Sequence, residues 1–114
     1  MPYNDSLIET TFSALADPTR RAVVQALCSG PAAVSQLAQP FDMALPSFTQ
    51  HLGVLEDAGL ISSERQGRTR ICSLNLDALR MAEGWLAAYR HQAEERLDRL
   101  EAHLKPQRKD KPNE

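Results

Sequence analysis

At Gly59 the hydrophobic period of the chain changes, and no other feature constrains the fold as much. Before it, apolar residues recur every three or four positions. From Leu60 they alternate over two short stretches, and from about Asn75 the helical period returns and holds to Leu104. A chain patterned this way is mainly α with one small β-hairpin set between helices.

The helical part divides at its own punctuation. Ser6-Leu7-Ile8-Glu9 has the form of a capping box, and Leu7, Ile8, Phe12 and Leu15 follow at helical spacing, which predicts a first helix to about Ala16. Asp17-Pro18 restarts the chain as an N-cap and first-turn proline, and the second helix carries Val23, Val24 and Leu27 up to Gly30-Pro31. Val34 to Gln39 is a short amphipathic turn or two closed by Pro40, and Pro46 stands in the first turn of a fourth helix that stops at Gly59. The hairpin runs from Leu60 to Arg65 and from Thr69 to Leu74 about a turn at Gln66-Gly67, with Ile61, Cys72 and Leu74 facing inward.

The last helix carries Leu79, Ala82, Leu86, Tyr89, Ala93, Leu97, Leu100 and Leu104 along one seam, and such a seam needs a partner. Residues 105–114, KPQRKDKPNE, hold no apolar side chain and are expected to be a disordered charged tail, leaving 1–104 as one domain. The chain has 114 residues with 42% hydrophobic side chains, enough for a single modest core. Its formal charge of -2 advertises neither nucleic acid nor membrane, so any such partner must be met by local charge. Two cysteines without C-x-x-C spacing, no secretory leader and no long apolar run lead to the expectation of a soluble cytoplasmic protein with no membrane partner.

The stretch PSFTQHLGVLEDAGLI, residues 46 to 61, crowds Ser47, Thr49, Gln50 and His51 onto one helical turn. On a wheel, Leu45, Phe48, His51, Leu52, Leu55 and Ala58 share one side, while Pro46, Thr49, Gln50, Gly53 and Asp57 share the other and Ser47 lies at the border. A nucleophile and its base must reach each other, and neighbours at i and i+2 on a helix point apart, so the turn is not catalytic and the chain is not read as an enzyme. His51 is read as a partly buried imidazole bonded to backbone. What remains is a neutral hydrogen-bonding face, which suits either solvent or the DNA major groove. The hairpin decides between them: Arg65, Arg68 and Arg70 surround the Gly67 turn as the tip of a phosphate-gripping wing would.

Taken together, LADPTRRAVVQAL (15–27), VSQLAQPF (34–41), PSFTQHLGVLEDAGLI (46–61) and QGRTRICSL (66–74) resemble the ArsR/SmtB family of winged helix-turn-helix repressors. The likeness covers roughly residues 5–104, and the ending YRHQAEERLDRLEAHL resembles the autorepressor-like branch that lacks metal sites. The resemblance implies a repressor that binds an inverted-repeat operator in double-stranded DNA. Ser47, Thr49, Gln50, His51 and Gly53 would lie in the reading helix, with Arg65, Arg68, Thr69 and Arg70 in the wing. It also implies a homodimer joined through the first and last helices, by Leu7, Leu79, Leu86, Tyr89, Leu97, Leu100 and Leu104. The sequence departs from the family pattern at Gln50 and Gly53, where basic residues are common, and at Ala44, where a hydroxyl cap is usual. Phosphate attraction is then expected from Arg20-Arg21, the wing arginines or the tail lysines.

Metal-sensing relatives carry Cys-x-Cys on the third helix, where this chain has Val34-Ser35-Gln36-Leu37-Ala38. Of a second family site, only His91-Gln92-Ala93-Glu94 matches, so no metal, cofactor or inducer is specified. Cys28 and Cys72 are read as small core residues, and Met81, Trp85 and Tyr89 as packing of a dimer core. An alternative stands beside the repressor: a winged-helix protein-interaction module with weak or no DNA binding, suggested by the uncharged reading helix and acidic balance.

Overall fold

The computed structural model describes residues 5–104; the expected tail lies outside the described residues. In chain order the elements are α1 (Asp5–Leu15), α2 (Pro18–Leu27), β1 (Ala32–Ala33), α3 (Val34–Ala38), α4 (Leu45–Asp57), β2 (Ile61–Gln66), β3 (Thr69–Leu74) and α5 (Leu76–Leu104). This is the winged helix-turn-helix order read from the sequence, with one addition. β1 pairs antiparallel with β3, Ala32 opposite Cys72 and Ala33 opposite Ile71, so the sheet has three strands in the order β1-β3-β2. Two alanines carry neither period nor β propensity, so nothing in the sequence betrays this strand.

The helix ends follow local chemistry. Asp17 caps α2 by accepting the Arg20 backbone N–H at 3.0 Å, with Pro18 in the first turn. α1 begins at Asp5, so Ser6 lies inside its first turn rather than at the expected cap, and its carbonyl accepts the Thr10 hydroxyl. α4 ends in a Schellman motif: Gly59, with φ +77°, occupies the left-handed position, and the N–H groups of Leu60 and Gly59 reach back to the carbonyls of Leu55 and Glu56. Leu55 and Leu60 are both fully buried, the apolar contact that accompanies this cap. Asn75 then starts α5, its side-chain oxygen accepting from the Asp77 N–H while its amide donates to the Gly59 carbonyl.

The core gathers Ala14, Val23, Val24, Leu27, Leu37, Phe48, Leu52, Leu55, Leu60, Ile61 and Cys72. Phe41 stacks obliquely on Phe48, ring centroids 5.4 Å apart, and so joins the α3–α4 connection to this core. Leu45 departs from its place on the wheel: at the first turn, before the helix reaches the core, it is 55% exposed. Cys28 departs too; it caps the C-terminus of α2 and is exposed, whereas Cys72 is buried as expected.

The described residues form two compact units, one ending at Ala82 and one beginning at Glu83. In the first, Ala78 and Leu79 pack partly on the core and Ala82 is buried. Leu79, named for the seam, thus also packs against its own chain's core. In the second unit, Leu86, Tyr89, Leu97, Leu100 and Leu104 are all exposed. Trp85 and Tyr89 meet edge to face at 4.6 Å.

Candidate nucleic-acid interface

The first turns of α4 bury one side and present the other. Phe48, Leu52 and Leu55 face the core, while Ser47, Thr49 and Gln50 are exposed and Gly53 is half-buried. The side chains of Ser47 and Gln50 have no hydrogen-bond partner among the described residues, so their groups are available outward. The Thr49 hydroxyl donates to the Pro46 carbonyl at 3.0 Å, which leaves its oxygen as an acceptor. None of Ser47, Thr49, Gln50 and Gly53 carries charge.

His51 is placed at the edge of the apolar face, as the wheel requires, but its partner is a side chain rather than backbone. Its Nδ1 lies 3.1 Å from Arg20 Nη1 and 3.7 Å from Asp17 Oδ2. A guanidinium only donates, so Nδ1 acts here as an unprotonated acceptor. Arg20 also donates from Nε to the Ala14 carbonyl at 2.7 Å and from Nη2 to the Ser13 carbonyl, while Arg21 donates to the Leu15 carbonyl at 3.0 Å. These carbonyls belong to the last turn of α1, where a helix leaves acceptors over; that of Ser13 also accepts the Ala16 N–H at 3.2 Å. The Arg20-Arg21 pair is thus engaged in closing α1 and docking α4 on α2. Asp17 sits below the usual carboxylate range, chiefly because of the Arg20 backbone N–H and further because of the Arg20 charge.

The wing is set by strand register. Arg65 stands opposite Arg70 and Gln66 opposite Thr69, so Gly67-Arg68 forms a two-residue turn, one position beyond the expected Gln66-Gly67. Gly67 has φ +65°, the left-handed value that tight hairpin turns demand at their first central residue. Alternation places Ile61, Ser63 and Arg65 on one face with Arg70, Cys72 and Leu74, the face whose inner end is core. Arg70 turns inward along it: Nε donates to Ser63 Oγ at 2.9 Å and Nη2 lies 3.4 Å from Glu56 Oε2. Ser63 in turn donates to the same Glu56 oxygen. Arg65 and Arg68 have no ion-pair partner among the described residues, and Thr69 is exposed beside the turn.

Four expected wing residues are therefore together at the tip, but Arg70 is tethered. A sequence reading that asks only where positive charge lies passes over Glu56. Strand alternation from the buried Cys72 back to Arg70 is the signal that could find it. Burial, with the nearby Glu56 carboxylate, pushes the Cys72 thiol up, so it is poorly suited to redox sensing. Among the described residues no group of three or more His, Cys, Asp or Glu is placed to hold a metal ion; His91 instead lies 3.9 Å from Glu94, which also pairs with Arg90 at 3.2 Å. No helix among the described residues is long and apolar enough to cross a membrane.

Residues 15–64, from the end of α1 through most of β2, match a helix-turn-helix domain model. The chain is 33% identical over 79 residues to the transcriptional repressor SdpR of Bacillus subtilis, covering 69% of this chain and 88% of SdpR. It is 41% identical over 67 residues to the HTH-type transcriptional regulator Rv2034 of Mycobacterium tuberculosis, covering 59% of this chain and 63% of that protein. The crystal structure of an ArsR family transcriptional regulator superposes with a TM-score of 0.79 at 48% identity, covering 82% of this chain and 97% of the other. With the sequence in agreement along most of SdpR, and fold and sequence along nearly all of that crystal structure, the chain belongs to the ArsR family of winged helix-turn-helix transcriptional regulators.

Proposed function

We propose that this chain is a repressor that binds an inverted-repeat operator in double-stranded DNA as a homodimer, with α4 reading the major groove and the wing on phosphate. The observation that carries the reading is the outward arc of Ser47, Thr49 and Gln50, open and uncharged at the front of a helix whose back is locked in the core. Gln can pair with adenine N6 and N7, and a good bidentate pair is worth roughly 1–3 kcal/mol of discrimination against the wrong base. The wing supplies Arg68 and Arg65 as charge without sequence preference. His51 contributes by anchoring α4 to α2, and Gly53 by keeping the helix surface low. SdpR, a named repressor, supports the direction of regulation.

An operator selected from random DNA, together with a single-mismatch version, tests the division of labour. Gln50→Ala should lose affinity for the matched site and little for the mismatched one. Arg68→Ala should weaken both and flatten the salt dependence by about one unit of slope for each phosphate the wing no longer neutralises. If Arg68→Ala erases the difference between sites while Gln50→Ala does not, the wing is the reader. The uncharged reading helix and the net charge of -2 favour a second reading, the protein-interaction module. Wild-type protein that fails to bind DNA at low salt would select it.

A further inference from the structure

Residues of α4 and of the wing face one another. Between them lies a crevice of about 310 Å³, lined by Thr49, Gly53, Glu56, Arg70 and Cys72 among others. Gly53 leaves it open, since a Cβ there would meet nothing within 4 Å. Leu55, Ile61 and Cys72, from helix and sheet, are buried together in the core. Across the crevice, among the described residues, the hydrogen-bonded ties from α4 to the wing strands both end on one carboxylate, Glu56 Oε2, reached by Ser63 and Arg70. Ser63 lies on β2 and Arg70 on β3, so a single acid holds both strands.

Resting on the reading that α4 and wing meet DNA together, we propose that Glu56 is a positioning residue that sets the wing against the reading helix, with Arg70 as its strut and not a phosphate ligand. The register gives a reason for such a strut. Arg65 and Arg70 are directly opposed, and like charges so placed repel. Drawing Arg70 back onto Glu56 relieves the pair and leaves Arg65 and Arg68 as the exposed arginines of the tip. An exposed ion pair stabilises a fold little, and the Arg70 side chain is 56% exposed, so the consequence of this bridge is where it holds the wing. A negative charge so near a DNA-facing surface is tolerated because Arg70 neutralises it.

The test compares wild type, Glu56→Gln, Arg70→Ala, Arg68→Ala and the exchanged pair Glu56→Arg/Arg70→Glu. In free protein, amide hydrogen exchange at Ser63–Arg70 should accelerate in Glu56→Gln and Arg70→Ala and recover in the exchanged pair. On DNA, Arg70→Ala should keep the wild-type salt slope while losing several-fold in the ratio of matched to mismatched affinity. Arg68→Ala should flatten the slope by about one unit. Glu56→Gln should steepen it, since a released Arg70 can reach phosphate, and the exchanged pair should restore the affinity ratio. The proposal is overturned if Arg70→Ala flattens the slope as Arg68→Ala does, or if exchange at the wing is unchanged in Glu56→Gln. Wild type that binds no DNA at low salt removes the underlying reading instead, and the exchange measurement then separates a wing that is braced from one that is not.

Discussion

Among individual residues, the two thiols separate most clearly from what composition implies. Sequence alone reads both as small core side chains, yet Cys28 is exposed at the end of α2 and Cys72 is buried with its thiol pushed up by burial and by Glu56. Thiolate is the reactive form, so native protein should show one fast equivalent with a disulfide reagent and a second only on unfolding. Cys28→Ser should abolish the fast phase; its survival would mean that β3 opens readily. Thr11 is the other outlier, fully buried, with a hydroxyl that has no hydrogen-bond partner among the described residues. An unmet buried hydroxyl costs about 1–3 kcal/mol, and Val has nearly the same shape, so Thr11→Val should raise the unfolding midpoint. A lowered midpoint would show that the hydroxyl is satisfied in the assembled protein.

Single elements are legible where their ends are marked by chemistry. Asp17-Pro18 fixes the start of α2 and Gly59 the end of α4, because a capping carboxylate, a proline and a left-handed glycine each act within one turn. β1 is not legible, since its pairing with β3 is a tertiary fact written in neither alanine. The candidate interface divides similarly. Its outward arc follows from a wheel, but the employment of Arg20, Arg21, His51 and Arg70 depends on carbonyls and carboxylates brought from elsewhere in the chain. The α2 cap can be tested by acid. Asp17 has a lowered native pKa, so its charge stabilises above the ordinary value of 3.8 and that contribution is lost as pH falls through the native value. Asn caps a helix about as well as Asp, so Asp17→Asn removes charge and keeps the cap. Wild type should be the more stable at neutral pH, with the gap closing below about pH 4. A urea-midpoint difference that stays constant from pH 7 to pH 3 would refute the assignment.

At the scale of the whole molecule, most of the exposed large hydrophobic side chains among the described residues lie on α5. Its 29 residues span about 44 Å, and Leu86, Leu97, Leu100 and Leu104 are between 45% and 73% exposed along it. The spacing of these leucines follows a heptad-like seam, and a helix so exposed gains little from its own chain while a second copy could cover the same stripe. Leu79, half-buried on the core, belongs with the wing-bearing unit, so the proposed seam begins in effect at Leu86. Leu97 is the sharpest probe because it is 63% exposed: Glu there should be harmless to a monomer. Against a partner leucine the same carboxylate would have to be desolvated, which costs several kcal/mol unless it is protonated. Leu97→Glu should therefore run as a folded monomer by light scattering at micromolar concentration, keep its helical circular dichroism in residues that need no partner, and lose operator affinity. Leu79→Glu should instead unfold the domain. If Leu97→Glu remains dimeric with unchanged affinity, the exposed leucines are not the interface and the homodimer must be built on another surface.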